Sequence, residues 1–179
     1  MRLEDVLHFY RQCNAAGITI WIDGGWAVDA LLGSQAREHG DLDIAVQQLD
    51  LERLRLMLEE SGYWDVPRDD TRPWNFVLGD DSGSLIDIHV VEIDEAGNGI
   101  YGPPENGEMY PAGSLDGIGS IAGQSVRCIA PVHLVAFHTG YPLRPQDIHD
   151  VSALCERYGI ALPEEYHAAI AARQVDSTS

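Results

Sequence analysis

Two short stretches alternate carboxylates with aliphatic residues, and that alternation constrains the fold more than any other feature. In Asp41-Leu42-Asp43-Ile44-Ala45-Val46 the period is two, the period of a β-strand whose successive side chains point to opposite faces. Leu42, Ile44 and Val46 then share a core-facing side. Asp41 and Asp43 share the other, with Cβ atoms roughly 7 Å apart. In Leu85-Ile86-Asp87-Ile88-His89-Val90 the pattern recurs: Ile86, Ile88 and Val90 face one way, Asp87 and His89 the other. If the two strands pair, Asp87 joins Asp41 and Asp43 in a three-carboxylate cluster. Such carboxylates repel one another, and a cation relieves the repulsion. Hard oxygen ligands with positions left for water and phosphate suit Mg²⁺. A lone D-x-D more often marks a solvated strand end, so the neighbouring segments decide.

Those segments read as alternating helices and strands. Leu3, Val6, Leu7, Tyr10 and Cys13 recur at helical spacing, which predicts an amphipathic helix over residues 3–15. Ile18–Ile22 is β-branched and aromatic, hence a strand. Asp23-Gly24-Gly25 follows as a sharp turn, and a short helix is expected from Trp26 to Leu32. Glycines there let a backbone approach a ligand closely, and a helix N-terminus offers unpaired N–H groups to a phosphate. A second amphipathic helix spans Leu51, Leu54 and Leu58 and ends near Gly62; strands follow at 75–78 and 85–93. Residues 94–115 are rich in Gly, Pro and acid, and read as a long loop beside a site. A hairpin is expected over 118–121 and 125–129, then helices at 131–138, 145–158 and 164–173. The expected fold is thus α/β (α+β), a mixed β-sheet flanked by helices. Residues 1–130 would form the α/β domain and residues 131–179 a small C-terminal helical region.

Charge narrows the partners. The chain of 179 residues carries 29 acidic and 11 basic residues, a formal net charge of -18, and every basic residue is Arg. That balance argues against a nucleic-acid partner and suits a cationic small molecule. The longest stretch without Asp, Glu or Arg, Cys128–Leu143, contains two Pro and two His and falls short of the ~20 apolar residues of a membrane span. Met1-Arg2-Leu3-Glu4-Asp5 lacks the basic-then-apolar pattern of a signal peptide. Cys13, Cys128 and Cys155 form no C-x-x-C pair and read as reduced thiols of a cytoplasmic protein.

The run from Trp21 through Gly24-Gly25 to Gly33, followed by Arg37-Glu38-His39-Gly40-Asp41-Leu42-Asp43-Ile44, resembles the antibiotic nucleotidyltransferases of the polymerase-β-like superfamily. The likeness is closer to the small lincosamide nucleotidyltransferases than to the aminoglycoside adenylyltransferases, and covers about residues 5–158. Leu85–His89 resembles the family's third-carboxylate strand. Ala136–Tyr141, with Asp147 and Asp150 after it, resembles its C-terminal helical segment. The resemblance implies a nucleotidyltransferase fold and a metal-dependent enzyme. Gly24 and Gly25 would hold the triphosphate, with Arg37 near the phosphates. Asp41 and Asp43 would ligate two Mg²⁺ ions bridging the ATP co-substrate. Asp87 would complete the cluster or take the acceptor proton. One departure stands out: Ala45 and Val46 are apolar where some relatives carry another acid.

The expected reaction is transfer of AMP from ATP to a hydroxyl of a small amine-bearing antibiotic, a lincosamide first, with pyrophosphate leaving. The alternatives are an aminoglycoside acceptor, a toxin-type transfer to protein or RNA, and a non-catalytic nucleotide-binding homologue. Candidate acceptor contacts are Glu92, His89, Tyr101, His138 and Tyr141; Glu92 is also a second choice for the base. His39 reads as a loop residue, and Asp29 as a structural partner for an Arg. So short a helical half is compatible with a homodimer whose protomers share a pocket.

Overall fold

A computed structural model describes residues 1–176; residues 177–179, the end of the expected helical region, lie outside the described residues. The strands form one mixed sheet. Its main order is β3 (Trp64–Val66), β4 (Asn75–Gly79), β5 (Leu85–Ile93), β2 (Asp41–Gln47), β1 (Ile20–Ile22), β9 (Gln124–Cys128) and β8 (Gly117–Ile121). Strands β2 and β5 run parallel, β1 is antiparallel to β2, and β1 runs parallel to β9. The decisive register is in the β2–β5 pair, where Asp43 stands opposite Asp87 and Ile44 opposite Ile88.

The period-two pattern explains the seating of these strands. Leu42, Ile44, Ile86 and Ile88 are fully buried, whereas Asp41, Asp43, Asp87 and His89 are half-buried on the other face. Burying each aliphatic side chain contributes about 1.5–3 kcal/mol, so a one-residue slip, which would turn the carboxylates into the core, is strongly disfavoured.

Helix α1 (Leu3–Ala15) buries Val6, Leu7, Tyr10 and Cys13 of the stripe that its sequence spacing predicts, with Phe9 in addition, while Leu3 is only partly buried. Helix α2 (Gly24–Leu32) starts two residues earlier than expected, because the Asp23 carboxylate caps it by accepting from the Gly24 N–H at 2.7 Å. Both glycines therefore lie in its first turn. Helix α2 is buried nearly throughout, packed against β8 and β2 on one side and against α4 (Pro131–Phe137) and α5 (Pro145–Tyr158) on the other. Helix α3 (Leu51–Glu60) and α6 (Glu164–Asp176) complete the helices.

Two features depart from the sequence reading. Strand β3 lies between Gly62 and Pro67 and is too short to show a period. The stretch 94–115 is not a plain loop. It contains β6 (Gly99–Tyr101), paired with β5, and β7 (Met109–Tyr110), paired with β6, plus 3₁₀ turns at Pro104–Asn106 and Ser114–Asp116. Gly99 makes that pairing compact, since a Cβ there would come within 3.3 Å of both Val91 and Tyr110. No described helix is long and apolar enough to cross a membrane, and all three cysteines are free and buried.

Candidate active site

The carboxylates converge where β1 hands the chain to α2. The Asp23 N–H donates to the Asp43 carbonyl at 2.8 Å, locking the end of β1 to β2. Gly24 has a φ of 55°, a left-handed conformation that favours glycine. It is also pressed on the Asp43 side chain, since a Cβ at Gly24 would stand 2.8 Å from the Asp43 carboxyl carbon. Asp43 thus faces the first turn of α2, with Asp87 beside it on β5.

The crowding raises the affinity of these groups for protons. Burial pushes Asp43 up to about 7, and the charges of Asp41, Asp23 and Asp87 push the same way. Burial also lifts Asp87, against the opposing pull of His89 and Arg68. Asp87 Oδ1 is buried with no hydrogen-bond partner. The nearest cations to Asp87 are His89 Nε2, 3.8 Å from Oδ1, and Arg68 Nη1, 3.6 Å from Oδ2, both beyond hydrogen-bond range.

An orphaned carboxylate oxygen and a carboxyl pushed up to about 7 by burial, with like charges adding to it, are what a divalent cation would resolve. Among the described residues no group of three His, Cys, Asp or Glu side chains forms a ready-made metal site. Mg²⁺ does not require one, because it is commonly held by one or two carboxylates with water and substrate phosphates. The donor set fits the ion.

Next to Asp43 opens a cavity of about 700 Å³. Its floor holds Asp23, Gly24, Asp43 and His89; its far side is built by Tyr101, residues 107–111, Phe137 and His138. A hydrogen-bonded chain crosses from one side to the other. The Tyr110 hydroxyl donates to Asp23 Oδ2 at 2.8 Å, and His89 Nδ1 lies 2.6 Å from the same hydroxyl. A hydroxyl has a single proton to give, and here it goes to the carboxylate, so His89 Nδ1 carries the hydrogen of the second bond. Burial lowers the His89 affinity for protons, but Asp23, Asp87 and Asp43 outweigh it, and the net direction is up. Asp23 moves down despite its burial, chiefly because His89 is near.

The remaining sequence candidates fall in different places. The Tyr101 ring lies 5.3 Å from the His89 ring, tilted to it by 59°, and lines the cavity. His138 lines it too, with Nδ1 bonded to the Leu134 carbonyl at 2.8 Å. Glu92 is exposed, pairs in register with Ile100, and by strand alternation lies on the face opposite Asp87 and His89. Tyr141 is exposed and does not line the cavity. Arg37 Nη2 lies against Gly25, where a Cβ would come within 2.6 Å of it. The partner of Asp29 is His39, at 2.5 Å, and not an Arg.

Sequence reasoning passed over Asp23, Glu108, Phe137 and Arg68. Asp23 could have been found, since an Asp directly before a helical Gly-Gly is an N-cap signal. Nothing local marks the bond of the Tyr110 hydroxyl to Asp23, which spans 87 residues.

The comparisons with known proteins agree on a family. The family model described as aminoglycoside-2''-adenylyltransferase matches residues 5–154. A lincosamide resistance protein of Staphylococcus haemolyticus is 29% identical over 142 residues, covering 76% of this chain and 84% of that protein. The crystal structure of the lincosamide antibiotic adenylyltransferase LnuA, lincomycin-bound, has a TM-score of 0.74 at 26% identity, covering 88% of this chain and 97% of that one. The crystal structure of ANT(2'')-Ia in complex with adenylyl-2''-tobramycin has a TM-score of 0.71 at 23% identity, covering 96% and 98%; it speaks for the fold alone.

Proposed function

The chain belongs to the aminoglycoside-2''-adenylyltransferase family and is a nucleotidyltransferase, and from that premise we propose that it moves AMP from ATP, with Mg²⁺, onto a hydroxyl of a small cationic antibiotic. A lincosamide is the first choice of acceptor. The observation that carries this reading is the junction of two surfaces: Asp43 and Asp87 packed against a helix N-terminus, and an aromatic cavity opening beside Asp43.

Each residue has a task in this scheme. The first turn of α2 offers N–H groups and a positive dipole end to the triphosphate, and bare Gly24 and Gly25 let it approach. Arg37 supplies a cation next to that turn. Asp41, Asp43 and Asp87 would hold the Mg²⁺ ions, which when bound offset phosphate charge and orient the phosphates for in-line displacement. Asp87, with its unpartnered Oδ1, would complete that set or take the acceptor proton. Tyr101, Phe137 and Met109 would cover the apolar parts of the acceptor, and Glu108 would meet its amine.

The lincosamide choice is supported by the aromatic character of the cavity, which leaves Glu108 as its one acid besides Asp23 and Asp43. A polycationic acceptor calls for more. The family-model match favours an aminoglycoside as the second reading. Cytoplasmic residence is part of the proposal, supported by three buried free thiols. The test is pyrophosphate release across a panel of lincosamides and aminoglycosides with ATP and Mg²⁺. Release with lincosamides alone is expected; release with aminoglycosides alone would transfer the proposal to the second reading.

A further inference from the structure

Arg37 lies against the first turn of α2 at Gly25, and the structure shows what aims it. Its Nε and Nη2 both donate to Asp150 Oδ2, at 3.2 and 3.0 Å, and Nη1 donates to the Glu38 carbonyl at 3.3 Å. A guanidinium has five N–H donors. Three are engaged, leaving one on each terminal nitrogen. The side chain of Asp150 is 3% exposed and that of Arg37 is 32% exposed, so the anchor is buried and the working end is open. The second Asp150 oxygen lies 3.2 Å from His149 Nδ1.

The loop that carries Arg37 is fastened from the other side. Asp29 of α2 accepts from the Ala36 N–H at 3.0 Å and pairs with His39 Nε2. The His39 ring lies 4.7 Å from the Trp26 ring, and its carbonyl accepts from the N-terminal amine of Met1. Gly25 registers the outcome. Its φ is not positive, so conformation does not demand glycine there. Approach does: a Cβ would stand 2.6 Å from Arg37 Nη2 and collide with His39 Nδ1. The guanidinium is held at a helix end whose dipole is itself positive, an arrangement that is unfavourable until an anion lies between them. A buried carboxylate on α5 is also costly, and such a pair adds little to stability.

We propose that Asp150 is a positioning residue for the nucleotide site, holding the Arg37 guanidinium over the first turn of α2 so that helix α5 completes the phosphate subsite. The proposal rests on the reading of that turn as the triphosphate site. Asp150 itself touches no substrate; it acts through Arg37. By contrast, Asp147, one turn earlier, caps α5 through Arg144 and has no such role.

The test uses the full chain with Mg²⁺, and titrates inorganic tripolyphosphate by calorimetry alongside initial rates with ATP. Asp150→Asn is expected to raise the dissociation constant for tripolyphosphate and the KM for ATP about tenfold, leaving the acceptor KM unchanged. Arg37→Ala should do the same, and adding Asp150→Asn to it should change nothing more. Arg37→Lys, which keeps the charge and loses the fork, should resemble Asp150→Asn, and it serves in its place if that variant does not fold. If Arg37→Ala weakens binding while Asp150→Asn and Arg37→Lys do not, the positioning role is wrong and the triphosphate site stands. If Arg37→Ala has no effect, the site reading of Arg37 falls and the positioning role with it. An equal loss from Asp150→Asn with and without Arg37 would also overturn it, since the effect would then be on the fold.

Discussion

The two sides of the cleft are built by different means. The side that would hold the nucleotide is made mainly of regular elements, β2, β5 and the first turn of α2, with its carboxylates fixed by register and its glycines by a helix start, while Arg37 comes from the loop between α2 and β2. The side that would meet the acceptor is made of β6, β7 and the turns between them, with Phe137 and His138 from the end of α4. The first concentrates charge and close backbone approach. The second presents rings: Tyr101 and Tyr110 stand edge to face at 6.0 Å, and Tyr110 and Phe137 likewise at 5.2 Å. The contrast teaches that the chemistry is placed on rigid scaffold while recognition is left to short, irregular pieces, a common division of labour.

The contrast is sharpest at Asp43. Asp43→Asn is expected to lower kcat by about a thousandfold or more, as loss of a main electrostatic group does, with the fold intact. The carboxyl has an ordinary value near 3.8 and is pushed up to about 7 in the folded chain. Between those values the folded form holds a proton that the unfolded form has lost, so stability falls as pH rises from about 4 to about 7. Without metal at pH 8, Asp43→Asn should therefore melt at the same temperature or a few degrees higher, which thermal unfolding reads directly. A lower melting temperature would mean that Asp43 is a structural group.

The bridge between the two sides gives the next effect. Tyr110→Phe removes the hydroxyl shared by His89 and Asp23. A fall in kcat of about tenfold is expected, one hydrogen bond to charged partners being worth about 1.5–3 kcal/mol, with the KM for ATP unchanged. A rise in the ATP KM alone would assign Tyr110 to the nucleotide side. Smallest is Glu108→Gln, on the acceptor side. Glu108 is exposed, so the acceptor KM should rise only about two- to fivefold, and added salt should shrink the difference. An unchanged acceptor KM would remove Glu108 from recognition.

The same contrast explains what could be read in the chain. Alternation in residues 41–46 and 85–90 carries its own face assignment, and the buried and half-buried positions follow it everywhere but at Ala45, which is buried on the carboxylate face. The Gly24-Gly25 pair signalled close approach, and the structure names what approaches: Asp43 at the first glycine, Arg37 and His39 at the second. Strands of two or three residues, such as β7 and β3, have no period to detect. The bonds of the Tyr110 hydroxyl to Asp23 and His89 arise from tertiary contact alone. Glu92, by contrast, stood near Asp87 in sequence, and alternation carries it to the opposite face.

One measurement bears most directly on the central claim, that the carboxylate side delivers AMP to a hydroxyl of a lincosamide held on the aromatic side. The chain is incubated with ATP, Mg²⁺ and lincomycin, and the drug is weighed by mass spectrometry with the wild type and with Asp43→Asn. The account predicts a drug heavier by one adenylyl group, one pyrophosphate released for each, and no adduct with the variant. Lincomycin of unchanged mass with the active wild type, or an adduct formed equally well by Asp43→Asn, would contradict it.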